Sequence, residues 1–139
     1  MSAAELVKRS RWKRFAPVFL PFAALVSASG YVLWASAQDH LGFPLDDAWI
    51  HQTYARNLAE TGQLAYLPGQ PSAGSTSPAW SFLLSVGYLL GLDFRVWAYL
   101  LGTLALAATA WLAYLLTLRL RPSRPVAALF AGFFCAVEW

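Results

Sequence analysis

The sequence predicts an all-α polytopic membrane protein, with transmembrane helices and an extracytoplasmic loop that carries two surface helices. Hydrophobic residues make up 58% of the 139-residue chain and charged residues only 12%, a composition typical of membrane proteins. Two runs, 15–37 and 96–118, contain no charged residue. At about 1.5 Å per helical residue, each run can cross the roughly 30 Å hydrocarbon core of a bilayer.

The placement of the basic residues predicts the orientation of the two spans. Most of them flank the uncharged runs. Lys8, Arg9, Arg11, Lys13 and Arg14 precede the first run, Arg119, Arg121 and Arg124 follow the second, and Arg56 and Arg95 lie between. By the positive-inside rule, segments 1–14 and 119–125 are expected in the cytoplasm and 38–95 outside it. The predicted location is the cell (plasma) membrane, multi-pass. Anionic lipid headgroups explain the basic clusters, so no nucleic-acid partner is expected.

The first run also resembles a secretory signal, since basic residues precede it and Ala35-Ser36-Ala37 resembles a cleavage site. The apolar cores of signal peptides extend over about 7–15 residues. This run is longer, which favours an uncleaved transmembrane anchor.

A third apolar run begins at Val126 and contains the single cysteine, Cys135. Segment 126–139 is too short to cross a bilayer, so the sequence predicts the start of a truncated third transmembrane helix in a longer protein. One cysteine excludes an internal disulfide, and Cys135 is expected to pack as a small apolar side chain.

Turn residues divide the loop between the spans into two predicted surface helices. The first, about 46–61, starts with Asp46 and Asp47 as N-cap or first-turn residues and ends before Gly62. The second, about 78–90, starts at Pro78 after a Ser77 N-cap. It is too short to cross the bilayer, so we expect it to lie at the extracytoplasmic surface as an interfacial or re-entrant helix.

The adjacent carboxylates of Asp46 and Asp47 are the first candidates for chemistry. Such a pair at a helix start can cap the helix, bind a divalent cation or act as a general base. Asp39, His40 and His51 add no recognised ligand spacing. A divalent cation is therefore possible but not required, and no metal site is predicted.

The other polar residues of the loop each have two interpretations. Arg56 can bind an anionic phosphate, or contact lipid headgroups or pair with Glu60 four residues later. Ser75 and Thr76 precede a helix start, which suits an anion, although a capped turn explains the same residues. His51 by itself is more typical of a surface or packing histidine than of a catalyst.

Segment 46–80, DDAWIHQTYARNLAETGQLAYLPGQPSAGSTSPAW, resembles the first extracytoplasmic loop of the GT-C superfamily of membrane glycosyltransferases. It is similar to the loop of bacterial protein O-mannosyltransferases and aminoarabinose transferases. The shared elements are the acidic pair that opens a surface helix, the following tyrosine and arginine, the PG turn and the STSP start of a second helix. The resemblance covers most of the chain, from the N-terminal anchor to Arg95.

The resemblance implies inverting transfer of a hexose or pentose from a polyprenyl-phosphate-linked donor to an extracytoplasmic glycan, lipid or protein acceptor. Asp46 matches the general base and Asp47 its supporting neighbour. The residues that match or surround substrate-binding positions are His51, Tyr54, Arg56, Asn57, Ser75, Thr76 and Arg95. The family forms its donor cavity from further spans, so residues 1–139 alone are not expected to catalyse transfer.

A second interpretation stays open at this point. The chain can instead be a small, non-enzymatic membrane assembly or interaction protein whose surface helices bind a partner.

Overall fold

The computed structural model describes residues 3–38, 42–43 and 45–138, and the side chains among them from Phe15 onward. Its described residues are mostly helical, which confirms the all-α expectation. The elements are α1 (Ala3–Ala37), α2 (Asp46–Thr61), β1 (Ala65–Leu67), β2 (Gln70–Pro71), α3 (Pro78–Leu89), α4 (Phe94–Leu120) and α5 (Pro125–Ala136). The chain forms two compact units, one of Met1–His40 with Leu101–Trp139 and one of Leu41–Leu100.

Two helices are candidate membrane spans. The Phe15–Ala37 part of α1 and the whole of α4 are long and apolar enough to cross a bilayer. Only 22% and 11% of their apolar windows are buried, whereas the core helix of a soluble protein is mostly buried. Large apolar side chains such as Val18, Leu33 and Leu112 are exposed on them instead.

Helix α1 begins before its apolar part. Its 35 residues extend over about 52 Å at 1.5 Å per residue. The basic residues that precede Phe15 belong to the same helix. Pro17 and Pro21 lie inside it. Each lacks the backbone N–H that would bond the preceding turn, and a transmembrane helix tolerates this where neighbouring groups satisfy the freed carbonyls.

The core of the first unit consists mainly of small side chains from α1, α4 and α5. Its buried members are Ala16, Leu20, Ala24, Ala110, Tyr114, Ala128, Leu129 and Ala136. A Cβ added to Gly132 would lie 2.8 Å from both the Ala110 carbonyl oxygen and Leu20 Cδ1. Glycine therefore lets α5 approach both helices closely, as small residues do in membrane helix packing. Cys135 is a free thiol that packs against this core.

The second unit contains α2, a short hairpin and α3. Gly62, at φ 71°, ends α2 in the left-handed conformation, and its N–H donates to the Leu58 carbonyl oxygen. Strands β1 and β2 pair antiparallel with Leu67 opposite Gln70. Pro68 and Gly69 form the turn between them, and Gly69 takes φ 80°, which favours glycine there.

The starts of the two surface helices lie where the sequence predicts, and the structure decides between the alternatives for the acid pair. Leu45 occupies the N-cap position of α2, so Asp46 and Asp47 belong to its first turn. Ser77 is the N-cap residue of α3, but its side chain makes no capping hydrogen bond. Helix α3 ends at Leu89.

Gly132→Ala tests the close packing of α5. The added methyl group overlaps backbone and side-chain atoms, so we expect the free energy of unfolding to fall by about 1–3 kcal/mol. Gly102→Ala is the matched control, because no described atom lies within 4 Å of a Cβ at that position. Thermal unfolding in detergent measures both, and equal midpoints for the two variants would contradict the packing.

Candidate functional site

The interface between α2 and α3 is polar. His51, Gln52 and Asn57 are buried on α2, and Ser81 and Ser85 are buried on α3. Burying polar groups is unfavourable unless they are hydrogen-bonded. Each of these side chains has a partner. Ser85 donates to the Phe82 carbonyl oxygen within α3, and the partners of the other four join α2 to α3 or to the connection between them.

His51 is the centre of a cluster of hydroxyl groups. Its Nδ1 lies 3.2 Å from Ser75 Oγ and 3.2 Å from Ser81 Oγ, and the two serine oxygens are 3.0 Å apart. The Thr76 Oγ1 lies 3.4 Å from His51 Nε2. Ser81 is fully buried and Thr76 is exposed, so the cluster extends from the interface to the surface.

The hairpin is attached to α2 by two side chains. The Asn57 Nδ2 donates to the carbonyl oxygens of Ala65 and Tyr66, each at 2.9 Å. The hydroxyls of Tyr54 and Ser72 are 2.7 Å apart. Tyr54 and Asn57, both candidates for substrate binding, therefore hold the connection between the two helices.

About two turns beyond Ser81 on α3, Tyr88 joins α3 to Gln52, the residue that follows His51 on α2. Its hydroxyl donates to Gln52 Oε1 at 2.9 Å. Burial raises the pKa of the Tyr88 hydroxyl, and the nearby Arg56 guanidinium partly offsets this rise. The phenol therefore stays protonated, and remains a donor, through the physiological pH range.

The carboxylates of Asp46 and Asp47 are exposed at the start of α2. The Asp47 N–H donates to Asp46 Oδ1 at 3.0 Å. Among the described residues, the two carboxylates make no other hydrogen bond and no ion pair. They add negative charge where the helix dipole favours it, yet their oxygens stay available to a ligand.

The N-terminal ends of α2 and α3 lie together. His51 is in the second turn of α2, and its partner Ser81 is the fourth residue of α3. Asp47 precedes His51 by four residues, which places it on the same face one turn closer to the helix start. The structure thus gathers Asp47, His51, Ser75 and Thr76 at one end of this unit.

Arg56 lies apart from this end. It follows Asp47 by nine residues, about two and a half turns and about 13 Å along the axis, which puts it on the opposite side of α2. It forms no salt bridge with Glu60 or any other described residue, so the ion pair that the sequence allowed is not formed. Arg56 is exposed.

Arg95 is engaged at the start of α4. Its Nη2 lies 3.2 Å from Asp93 Oδ2, and Asp93 Oδ1 accepts the backbone N–H groups of Arg95 and Val96. Asp93 therefore caps α4. The Arg95 guanidinium, assisted by these N–H groups, holds the pKa of the Asp93 carboxyl below its usual range. This corner follows the C-terminal end of α3 and lies beside the first half of α2, since the Phe94 ring is 6.0 Å from the Trp49 ring.

Metal ligands are not concentrated in the described part of the chain, where no group of three or more His, Cys, Asp or Glu side chains could hold an ion. Asp39 and His40, two residues considered as ligands, lie outside the described residues.

Sequence reasoning missed three contributors to this site: Gln52, Ser72 and Ser81. Ser81 could have been found, because Ser81 and Ser85 are four residues apart in an otherwise apolar helix and so share one face. Gln52 and Ser72 had no comparable pattern, since their partners lie far along the chain.

Comparisons with known proteins give no family for this chain: no family model matches it, and no curated protein and no solved structure matches it. Its function is therefore argued from its own residues and their geometry.

Asn57→Ala tests the attachment of the hairpin. The variant leaves the carbonyl oxygens of Ala65 and Tyr66 without their donor, so we expect a loss of about 1–3 kcal/mol and faster proteolysis within 62–77. Thr53→Ala is the control, because the Thr53 hydroxyl donates only within α2, to the Trp49 carbonyl oxygen. Equal cleavage rates in the two variants would remove Asn57 from this role.

Proposed function

We propose that this chain is the N-terminal part of an integral membrane glycosyltransferase that moves a sugar from a polyprenyl-phosphate donor to an extracytoplasmic acceptor. The observation that carries the proposal is the acid pair: Asp46 and Asp47 are exposed and make no ion pair among the described residues, and Asp47 lies one turn before His51 on the same face of α2. The proposed reaction is the one that the resemblance of segment 46–80 to GT-C enzymes implies.

The membrane arrangement rests on α1 and α4. Both are candidate spans with mostly exposed apolar side chains. The basic clusters before Phe15 and after Thr117 favour a cytoplasmic N-terminus and a cytoplasmic end of α4. The unit that contains α2 and α3 then lies outside the cytoplasm, in a multi-pass protein of the cell membrane.

In the proposed reaction, Asp46 is the general base. Its carboxylate accepts the proton of the acceptor hydroxyl while the hydroxyl oxygen bonds to the anomeric carbon of the sugar. The bond between that carbon and the phosphate oxygen breaks, and the polyprenyl phosphate leaves with the electron pair. Asp47 supports the charge of Asp46 and orients it. Attack opposite the leaving group inverts the anomeric centre.

The leaving phosphate requires hydrogen-bond donors near the acid pair. Thr76 offers an exposed hydroxyl, and His51 Nε2 lies beside it. The first backbone N–H groups of α3, at Ala79 and Trp80, have no partner within their helix and point toward the same end. We therefore assign the phosphate to the start of α3. Arg56 lies about 13 Å along the axis of α2 from Asp47 and on the opposite side of the helix, too far to hold a phosphate that reacts at the acid pair. Arg95 is already paired with Asp93.

Asp46→Asn in the full-length protein tests the general base. An amide keeps the size and polarity of the carboxylate but cannot accept the proton, so we expect transfer of labelled sugar in membranes to fall by about 10²–10⁴-fold. Asp47→Asn should reduce it less. Glu60→Gln, an exposed carboxylate on the same helix, is the control with unchanged transfer. Wild-type turnover in both aspartate variants would refute the assignment and leave the non-enzymatic interpretation.

Thr76→Val tests the phosphate position. Valine keeps the shape of threonine but removes the hydroxyl, and loss of a hydrogen bond to a charged group costs about 1.5–3 kcal/mol. We expect the affinity for polyprenyl phosphate, titrated in detergent, to fall by roughly 10-fold or more. Arg56→Ala should keep its affinity. A larger loss of affinity in Arg56→Ala than in Thr76→Val would place the phosphate at Arg56, as the sequence allowed.

A further inference from the structure

We propose that α3 is immersed in the acyl chains of the outer leaflet through its outer face, with α2 lying above it in the headgroup layer. The outer face consists of Phe82, Val86, Leu89 and Leu90. The inference rests on the membrane location in the proposed function and adds to it a lipid-binding surface. It also fixes the height of the acid pair above the hydrocarbon.

Helix α3 departs from the pattern of a soluble amphipathic helix. Its buried side chains include Ser81 at 0% and Ser85 at 5% exposure beside Leu84 at 2%, whereas Phe82 is 55% and Leu89 67% exposed. A soluble helix buries its apolar side chains and exposes its polar ones. Small polar residues inside and large apolar residues outside are typical of helices surrounded by lipid.

The polar and the exposed apolar side chains lie on different sides of α3. At 100° per residue, Ser81, Ser85 and Tyr88 lie within about 60° of one another. Phe82, Val86 and Leu89 lie about 100° further round the helix, and Leu90 lies about 180° from Ser81. The outer face is therefore centred roughly 120° from the side that meets α2, so α2 lies toward water from α3 and offset to one side.

The charges of this unit support the same stacking. Residues 61–92 contain no charged side chain. The charged residues of 42–100 are Asp46, Asp47, Arg56 and Glu60 on α2, and Asp93 and Arg95 where α4 begins. A segment of 32 residues without a charged side chain is compatible with contact to acyl chains, because hydrocarbon provides no partner for an ion.

The outer face of α3 is continuous with the start of a candidate span. The Trp97 Nε1 donates to the Leu83 carbonyl oxygen at 2.9 Å. A Cβ at Gly87 would lie only 2.5 Å from Trp97 Cδ1, so α3 packs directly on the first turns of α4. Val96, at 67% exposure, extends the apolar surface onto α4. Where α4 enters the bilayer, α3 is held at the same depth.

The stacking of α2 on α3 sets where the acid pair lies. Packed helices have axes about 8–10 Å apart, and the headgroup layer is roughly 5–7 Å thick on each side of the hydrocarbon. With α3 at the acyl boundary and α2 offset to one side, the axis of α2 lies roughly 4–5 Å further out, within the headgroup layer. Asp46 and Asp47 are then close to the level of lipid phosphates, where a polyprenyl-phosphate donor presents its sugar.

Depth-dependent quenching tests this placement. Two variants of the full chain, Phe82→Cys and Val86→Cys, are made in a Cys135→Ser background, and each carries an environment-sensitive fluorophore on its single cysteine. Both are reconstituted in vesicles of phosphatidylcholine and phosphatidylglycerol. Lipids brominated near the top of the acyl chains should remove most of the emission at both positions. A cysteine at Glu60, on α2, is the matched control and should keep its emission.

A fourth label, at Leu104, separates the two proposals. Leu104 is 57% exposed in the candidate span α4 and should be quenched by lipids brominated deep in the chains. Quenching at Leu104 without quenching at Phe82 and Val86 would overturn the immersion of α3 alone, whether water or a second protein covers that face. Absence of quenching at Leu104 would overturn the membrane location and this inference together.

Discussion

The arrangement of the second unit depends on one constraint: the polar side chains buried between α2 and α3 must satisfy one another. His51 contacts Ser75 and Ser81. The adjacent Gln52 accepts a hydrogen bond from Tyr88, about two turns beyond Ser81 on α3. A buried donor or acceptor without a partner costs more than a typical hydrogen bond contributes. These contacts therefore specify one register of the two helices, where apolar packing alone would allow several.

That register also depends on the connection between the two helices. The connection 62–77 returns the chain to the start of α2, because Asn57 holds the hairpin and Tyr54 holds Ser72. Ser81, the fourth residue of α3, is thereby placed beside His51 in the second turn of α2.

The sequence predicted the elements better than their contacts. The uncharged runs, Gly62 and Pro78 located the helices, since length and turn residues act locally. The Pro68-Gly69 turn was visible, but the hairpin around it was not, because β1 and β2 are too short for a periodic pattern. Arg56 was grouped with the acid pair by sequence proximity. Helical geometry places it on the side of α2 opposite Asp47. The partners of Gln52 and Ser72 could not be predicted, because they lie far along the chain and meet only in the tertiary fold.

The hydrogen bonds of α2 close chain segments of very different length. Asn57 reaches a residue 8 positions away, Tyr54 one 18 away, His51 one 24 away and Gln52 one 36 away. The entropy lost on closing a loop rises with its length. The contact that holds the hairpin therefore costs the least chain entropy, and the contacts of His51 and Gln52 in the first half of α2 cost the most.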